Sequence, residues 1–499
     1  MAKAIKRVGV IFLAVAIICL MAIGVILGIN GAKSETAGSL NLNNEIENNL
    51  QIAVDKSYTL SGTNAQMAET WNEAVTFATN NKGKNVCVKL LNDWVAQADS
   101  TYTTSFGNIA GSFTVGSLLI PLGTTITLDL NGYTLDRNLA NTIGVDDGRC
   151  VYVAGTFNLV DSKYDSSLAS SLDTLEKVKN AKIGKVTGAN NLGNSQGSAI
   201  LVVGDDGTFN MYSGVVYNNT HYGKGSNAGA IAGRNGAILN IYGGLIAFNK
   251  QGNTYSSAIS VQFGVQLNLF GGTIRDNTGG YAGVTFYTDH YDVPESKITL
   301  GAGVQIYRNI NIAGEEANLL LTKEKKIYFA EQLMSGNVGA TYIGVAIVST
   351  YPNEPFTANY SSVANGNSAN TFFFSDDKTK KVENTTAEAK LVAGTERTTK
   401  ATWSWSGAGT GSTTFANHAV PYTGNAYAIK CNVGTFYSLN DNKSYTTFSA
   451  TQVGHYVFKI NNANYLNQVF VFTIGEPNRI AKPSGTLASK EYTGEEITC

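Results

Sequence analysis

Three short phrases recur along the chain at nearly constant spacing, and this recurrence constrains the fold more than any other feature. Phe209-Asn-Met-Tyr-Ser-Gly214 runs on to Asn219, Leu239-Asn-Ile-Tyr-Gly-Gly244 to Asn249, and Leu267-Asn-Leu-Phe-Gly-Gly272 to Asn277. Phe209 and Leu239 lie 30 positions apart, and Leu239 and Leu267 lie 28 apart. A looser copy begins at Ile298 and reaches Gly303 and Asn309, and earlier ones are suggested at Ile126-Thr-Leu-Asp-Leu130 and Thr156-Phe-Asn-Leu-Val160. A fixed period of this size means units stacked on their neighbours. Each copy alternates apolar and polar residues and is broken by glycine, which excludes helical repeats.

Each unit carries further short strands. Ala199-Ile-Leu-Val-Val203, Ala230-Ile-Ala232 and Ala258-Ile-Ser-Val261 precede the phrase, and Val215-Val216, Leu245-Ile246 and Thr273-Ile274 follow its glycines. Two or three strands per repeat, turning at Gly and Asn, predict the coils of a right-handed parallel β-helix over residues 121–314. A lone coil cannot bury its apolar face, so like residues stack on like. Asn219, Asn249 and Asn277 admit two readings: an internal ladder of amides that satisfies buried backbone groups, or tolerance of a left-handed turn.

Outside the repeat the text changes. Lys3, Lys6 and Arg7 precede an apolar stretch from Val8 to Ile29, about 33 Å of helix at 1.5 Å per residue, enough for a bilayer core. Residues 1–32 are therefore expected to be a membrane anchor, preferred over a cleaved signal peptide because no small-residue cleavage site follows well. The flanking positive charge sends the rest of the chain outside. Residues 33–64 read as a polar linker. Residues 65–120 read as a cap, with Trp71, Ala74, Val75 and Ala78 on one helix face and Val86, Val88 and Leu90 on one strand face. Residues 315–396 break the period and are expected to form a small accessory β domain. Tyr422-Thr-Gly424 recurs as Tyr492-Thr-Gly494, each followed by a cysteine (Cys431, Cys499). That spacing predicts an immunoglobulin-like β-sandwich over 397–476 and the start of another at 477–499. The class is all-β.

These segments, in order, resemble the extracellular pectate-lyase-like β-helix proteins of bacterial, Gram-positive-type cell surfaces. The resemblance rests on the Trp71 helix followed by Val86 to Asp93, the phrase Ile126-Thr-Leu-Asp-Leu-Asn-Gly-Tyr-Thr-Leu135, the Gly243-Gly244 and Gly271-Gly272 coils, Phe372-Phe-Phe-Ser-Asp-Asp377, and the Tyr-Thr-Gly starts. It implies a cell-surface or secreted location, and adhesion or contact with carbohydrate or with a host or cell-surface protein. No C-terminal sorting motif of the wall-anchored members is visible.

The chemistry-bearing residues are few. With 36 basic and 37 acidic side chains and no run of either sign, no nucleic-acid partner is expected. No cofactor and no metal site are expected: Cys19, Cys87, Cys150, Cys431 and Cys499 form no CxxC pair, leaving a Cys87–Cys150 bridge or buried free thiols. Asp146-Asp147 and Asp205-Asp206 adjoin glycines and read as turns. Asp276 beside Arg275 reads as solvated. The densest polar group is Asp289-His290-Tyr291-Asp292, in a loop that enlarges a coil. With Tyr287 it is the candidate ligand site, and Tyr281 joins Tyr287 and Tyr291 as rings for stacking on sugars. No catalytic residue is assigned. The competing reading is a polysaccharide lyase or glycoside hydrolase, which needs several carboxylates or basic groups converging across coils.

Overall fold

The computed structural model describes residues 54–475 except 97–116, 141–147, 167–168, 170, 193–197, 224–227, 254, 287–294, 323–324, 334–340, 349–354, 395–400, 415–417, 439, 442 and 461–467. The expected membrane span at 8–29 and the repeat start at 477–499 lie outside the described residues. Among the described residues no helix is long and apolar enough to cross a membrane.

The chain is all-β, and its main body is a stack of parallel strands in successive turns, the pairing a β-helix requires. One turn runs Thr208–Met211, Val215–Tyr217, Thr220–His221 and Ile231–Arg234 before the next begins at Ile238–Ile241. The strands that open each turn form a nine-stranded sheet, and the repeat spacing is its register: Phe209 pairs with Leu239, and Leu239 with Leu267. The earlier and later copies share it, Ile126 pairing with Phe157, Phe157 with Phe209, and Leu267 with Ile298. Phe157, Phe209, Leu239, Leu267 and Ile298 all point inward and are fully buried. Each such side chain contributes about 1.5–3 kcal/mol through burial alone.

Two columns of strands, one through Val215–Tyr217 and one through Ile231–Arg234, complete the wall. A four-stranded sheet of two-residue strands, Asn190–Asn191 to Thr278–Gly279, turns the corner between them.

That corner decides between the two readings of the repeated asparagines. Asn249 Oδ1 accepts from the backbone N–H of Asn219 (3.1 Å) and from its Nδ2 (3.0 Å). The same double bond links Asn249 to Asn277, Asn277 to Asn309, and Asn309 to Asn318. All of these amides are fully buried. The left-handed conformation falls one residue earlier, at Asn218, Phe248, Asp276 and Arg308 (φ +53° to +58°). The asparagines are there for their side chains. The ladder ends on Asp376, whose two oxygens take the N–H and Nδ2 of Asn318, both at 2.6 Å.

Several expectations need correction. The first part of the segment read as an accessory domain continues the stack, Leu319–Leu321 pairing with Val284 to Phe286 and Ile327–Phe329 with Ile298 to Leu300, while its last part is a separate antiparallel hairpin, Lys380–Asn384 with Ala389–Ala393. Longer connections hide its period. Tyr342–Ile347 then pairs with both columns, through Tyr342-Ile343 on one side and Val345 to Ile347 on the other. Part of the expected linker, Lys56–Leu60, is an edge strand paired with Val86 to Leu90, its signal weakened because only Leu60 is buried. Helix Asn64–Asn80, opened by a Thr63–Gln66 capping box, closes that end with Met67, Trp71, Ala74 and Ala78 buried. Asp276 is not solvated. Arg308 grips it through Nε (2.9 Å) and Nη2 (2.6 Å), and Arg275, itself 1% exposed, pairs with it while donating to the carbonyls of Ala169 and Leu172. Arg275 thereby ties the insertion at residues 161–183 to the outer wall. Cys87, Cys150 and Cys431 are free thiols.

Beyond residue 400, a four-stranded antiparallel sheet and a five-stranded sheet enclose a second core around Trp403, Phe458 and Phe470. Lys459, on the outer side of that body, donates to the carbonyl of Thr371 and lies 5.0 Å from the Tyr342 ring. Burial pulls its pKa down to about 8.

Candidate functional site

The expected ligand loop, with Tyr287, Asp289, His290, Tyr291 and Asp292, lies outside the described residues, as do Asp146 and Asp147. Its flanks are described: it leaves strand Ala282–Phe286 and enters Lys297–Leu300. Tyr281 immediately precedes that first strand. Tyr281 is exposed, with Tyr255 edge-on at 6.2 Å. Asp205 and Asp206 are exposed in a turn closed by Gly207 N–H to Gly204 O (2.9 Å). An open groove of about 700 Å³ between the cap helix and Tyr58 is lined by Glu69 and Glu73. Among the described residues, no three His, Cys, Asp or Glu side chains come together as a metal would need.

The most ordered array of polar groups lies elsewhere, on the outer face of the nine-stranded sheet. Side chains alternate along a strand, so with Phe209 and Met211 inside, Asn210 points out. Asn240 and Asn268 do the same in the next turns, in direct register. Their amides form a second ladder. Nδ2 of Asn210 donates to Oδ1 of Asn158 (2.7 Å), Asn240 to Asn210 (2.7 Å), and Asn268 to Asn240 (2.8 Å). Asn158 in turn donates to Thr127 Oγ1 at 3.0 Å. Asn158 and Thr127 are buried, while Asn210, Asn240 and Asn268 are half-exposed.

Two residues further along each strand, rings stack along the same direction. Tyr212 and Tyr242 lie 4.8 Å apart and nearly parallel (5°), and Phe270 follows at 5.2 Å. Gly301 occupies the next position, where a Cβ would strike the Phe270 backbone. Burial raises the Tyr212 hydroxyl to about 12 and Tyr242 in the same direction, so both stay neutral. On the other side of the amides runs a third row, Thr208, Ile238 and Gln266. Nothing charged stands in these three rows over three turns. The Lys89–Asp129 ion pair (3.2 Å) precedes them, and Lys297, 4.3 Å from the Tyr328 ring, follows.

This face was within reach of the sequence. The Asn and aromatic positions of the recurring phrase are the outward half of its period-two alternation, whereas the polar cluster at 289–292 drew attention by density. Comparison with known proteins finds no matching family model, no matching curated protein and no matching solved structure.

Proposed function

We propose that this chain is a cell-surface structural and adhesive protein. In this reading a right-handed parallel β-helix is held outside the membrane by the segment at 8–29, closed by a helical cap and followed by an immunoglobulin-like module. It binds carbohydrate or a surface protein rather than transforming it. The observation that carries the reading is the repetition of outward groups: three successive turns present an amide and a ring at the same place, so the surface is a regular strip, not a pocket. A strip suits a long or repetitive partner, and its rigidity lowers the cost of ordering the contact. Catalysis instead concentrates a few unlike groups at one point.

The test is incubation of the full chain, in detergent, with a panel of plant and microbial polysaccharides, followed by co-sedimentation and assay of the supernatant. Binding without new reducing ends or unsaturated products is expected. Steady release of either would replace this reading with a lyase or hydrolase.

A further inference from the structure

We propose that the outer face of the nine-stranded sheet binds an uncharged polysaccharide lying along the stacking direction, with Asn210, Asn240 and Asn268 each meeting it once. This rests on the adhesive reading and names the ligand class and the site.

The argument starts from valence. An amide has two donor hydrogens and room for two hydrogen bonds at its oxygen. The ladder uses one hydrogen of each of these residues, and one place on the oxygen of Asn210 and of Asn240. What remains takes no other protein partner among the described residues. Each turn therefore offers one donor and at least one acceptor at a spacing of about 4.8 Å. The ladder bonds hold every amide in one orientation, so little rotamer freedom is lost on binding.

A partner for such a row must itself carry closely spaced groups that both donate and accept, which describes the hydroxyls of a sugar chain. It must carry no net charge, because the row offers no ion to pair with one, and stripping a charge of water without a partner is costly. The rings refine the mode. The two stacks cover both faces of Tyr242 and one face each of Tyr212 and Phe270, so along the middle of the row recognition is by ring edges and hydrogen bonds more than by stacking. Tyr242, 42% exposed, is the most accessible of the three.

The experiment uses the full chain in titration calorimetry against cellohexaose, xylohexaose, mannohexaose and chitohexaose, with hexagalacturonate as the charged comparator. Two variants accompany it. Asn240→Asp puts a carboxylate in the middle of the row. Ile238→Lys overhangs the row from the neighbouring position without touching a ladder bond. Unfolding midpoints verify that both fold. The expected result is binding of at least one neutral hexasaccharide, unchanged between about 50 and 500 mM salt, and weakened about tenfold or more in both variants. Neutral binding that both folded variants retain overturns this site and leaves the adhesive reading standing. Binding confined to hexagalacturonate, or falling steeply with salt, also overturns it. Binding of none of the five overturns the site together with the carbohydrate part of the adhesive reading.

Discussion

Two ladders of asparagine run through the same turns of this protein, one at the corner inside the wall and one on its outer face. They use the same residue and the same inter-turn distance, at different places in each turn. In the inner ladder the oxygens of Asn249, Asn277, Asn309 and Asn318 each take two bonds, from the backbone N–H and the Nδ2 of the preceding asparagine, and the remaining hydrogen of Asn249 goes to the main-chain carbonyls of Val216 and Ala247. In the outer ladder each link is a single bond between side chains. Saturation separates the two. A buried polar group must be fully paired, whereas a half-exposed one can keep capacity for something else.

The largest expected effect lies inside. Asn277→Ala leaves the N–H of Asn249 without an acceptor, removes one of the bonds of its Nδ2, and takes a donor from the carbonyls of Ile246 and Arg275. At roughly 1–3 kcal/mol for the orphaned N–H and about 1 kcal/mol for each other bond lost, the loss is on the order of 4 kcal/mol. Urea unfolding of the variant measures it, and a loss under about 1 kcal/mol would erase the distinction between the ladders.

The next effect is at the ladder's end. Burial, and then the neighbouring Glu316 carboxylate, push the Asp376 carboxyl up to about 8. A carboxyl raised in the fold keeps a proton there that it releases on unfolding. Its stabilisation is therefore complete below its ordinary value near 4 and is lost as pH rises through about 8. The urea midpoint should fall across that window, and Asp376→Asn should flatten the slope while continuing the ladder. An unchanged slope in the variant would assign the pH dependence to other groups.

The smallest effect is outside. Asn240→Ala removes two single bonds whose partners can turn to water, so about 1 kcal/mol is expected. If its cost approaches that of Asn277→Ala, the outer row is structural and has nothing to spare.

The recurring phrase made the register legible, because a shift of one residue would turn Phe209, Leu239 and Leu267 out of the core. It also made the glycine corners and the two-strand alternation legible. Where the stack ends was not, since the strands at Leu319–Leu321 and Ile327–Phe329 join it through longer connections that obscure the period. Nor was the pairing of Arg275, Arg308 and Asp276, because Ala169 and Leu172 approach Arg275 from more than a hundred positions away. The candidate site was half legible. Polar density favoured the loop at 289–292, while the ordered face was written in the spacing of the residues between the apolar ones.

Strand Tyr342–Ile347 pairs with both columns at once and with Phe373–Ser375, so the two columns converge at that end, and the cap helix plugs the other. Turns can therefore be gained or lost only in the interior. Between Phe209 and Asn277 each turn is nearly interchangeable with the next, which makes that stretch the natural place for duplication or deletion. A descendant with an extra 28 or 30 residues there would keep both closures and lengthen both ladders by one rung. The reach of the surface could then evolve by whole steps, with no new fold to be found.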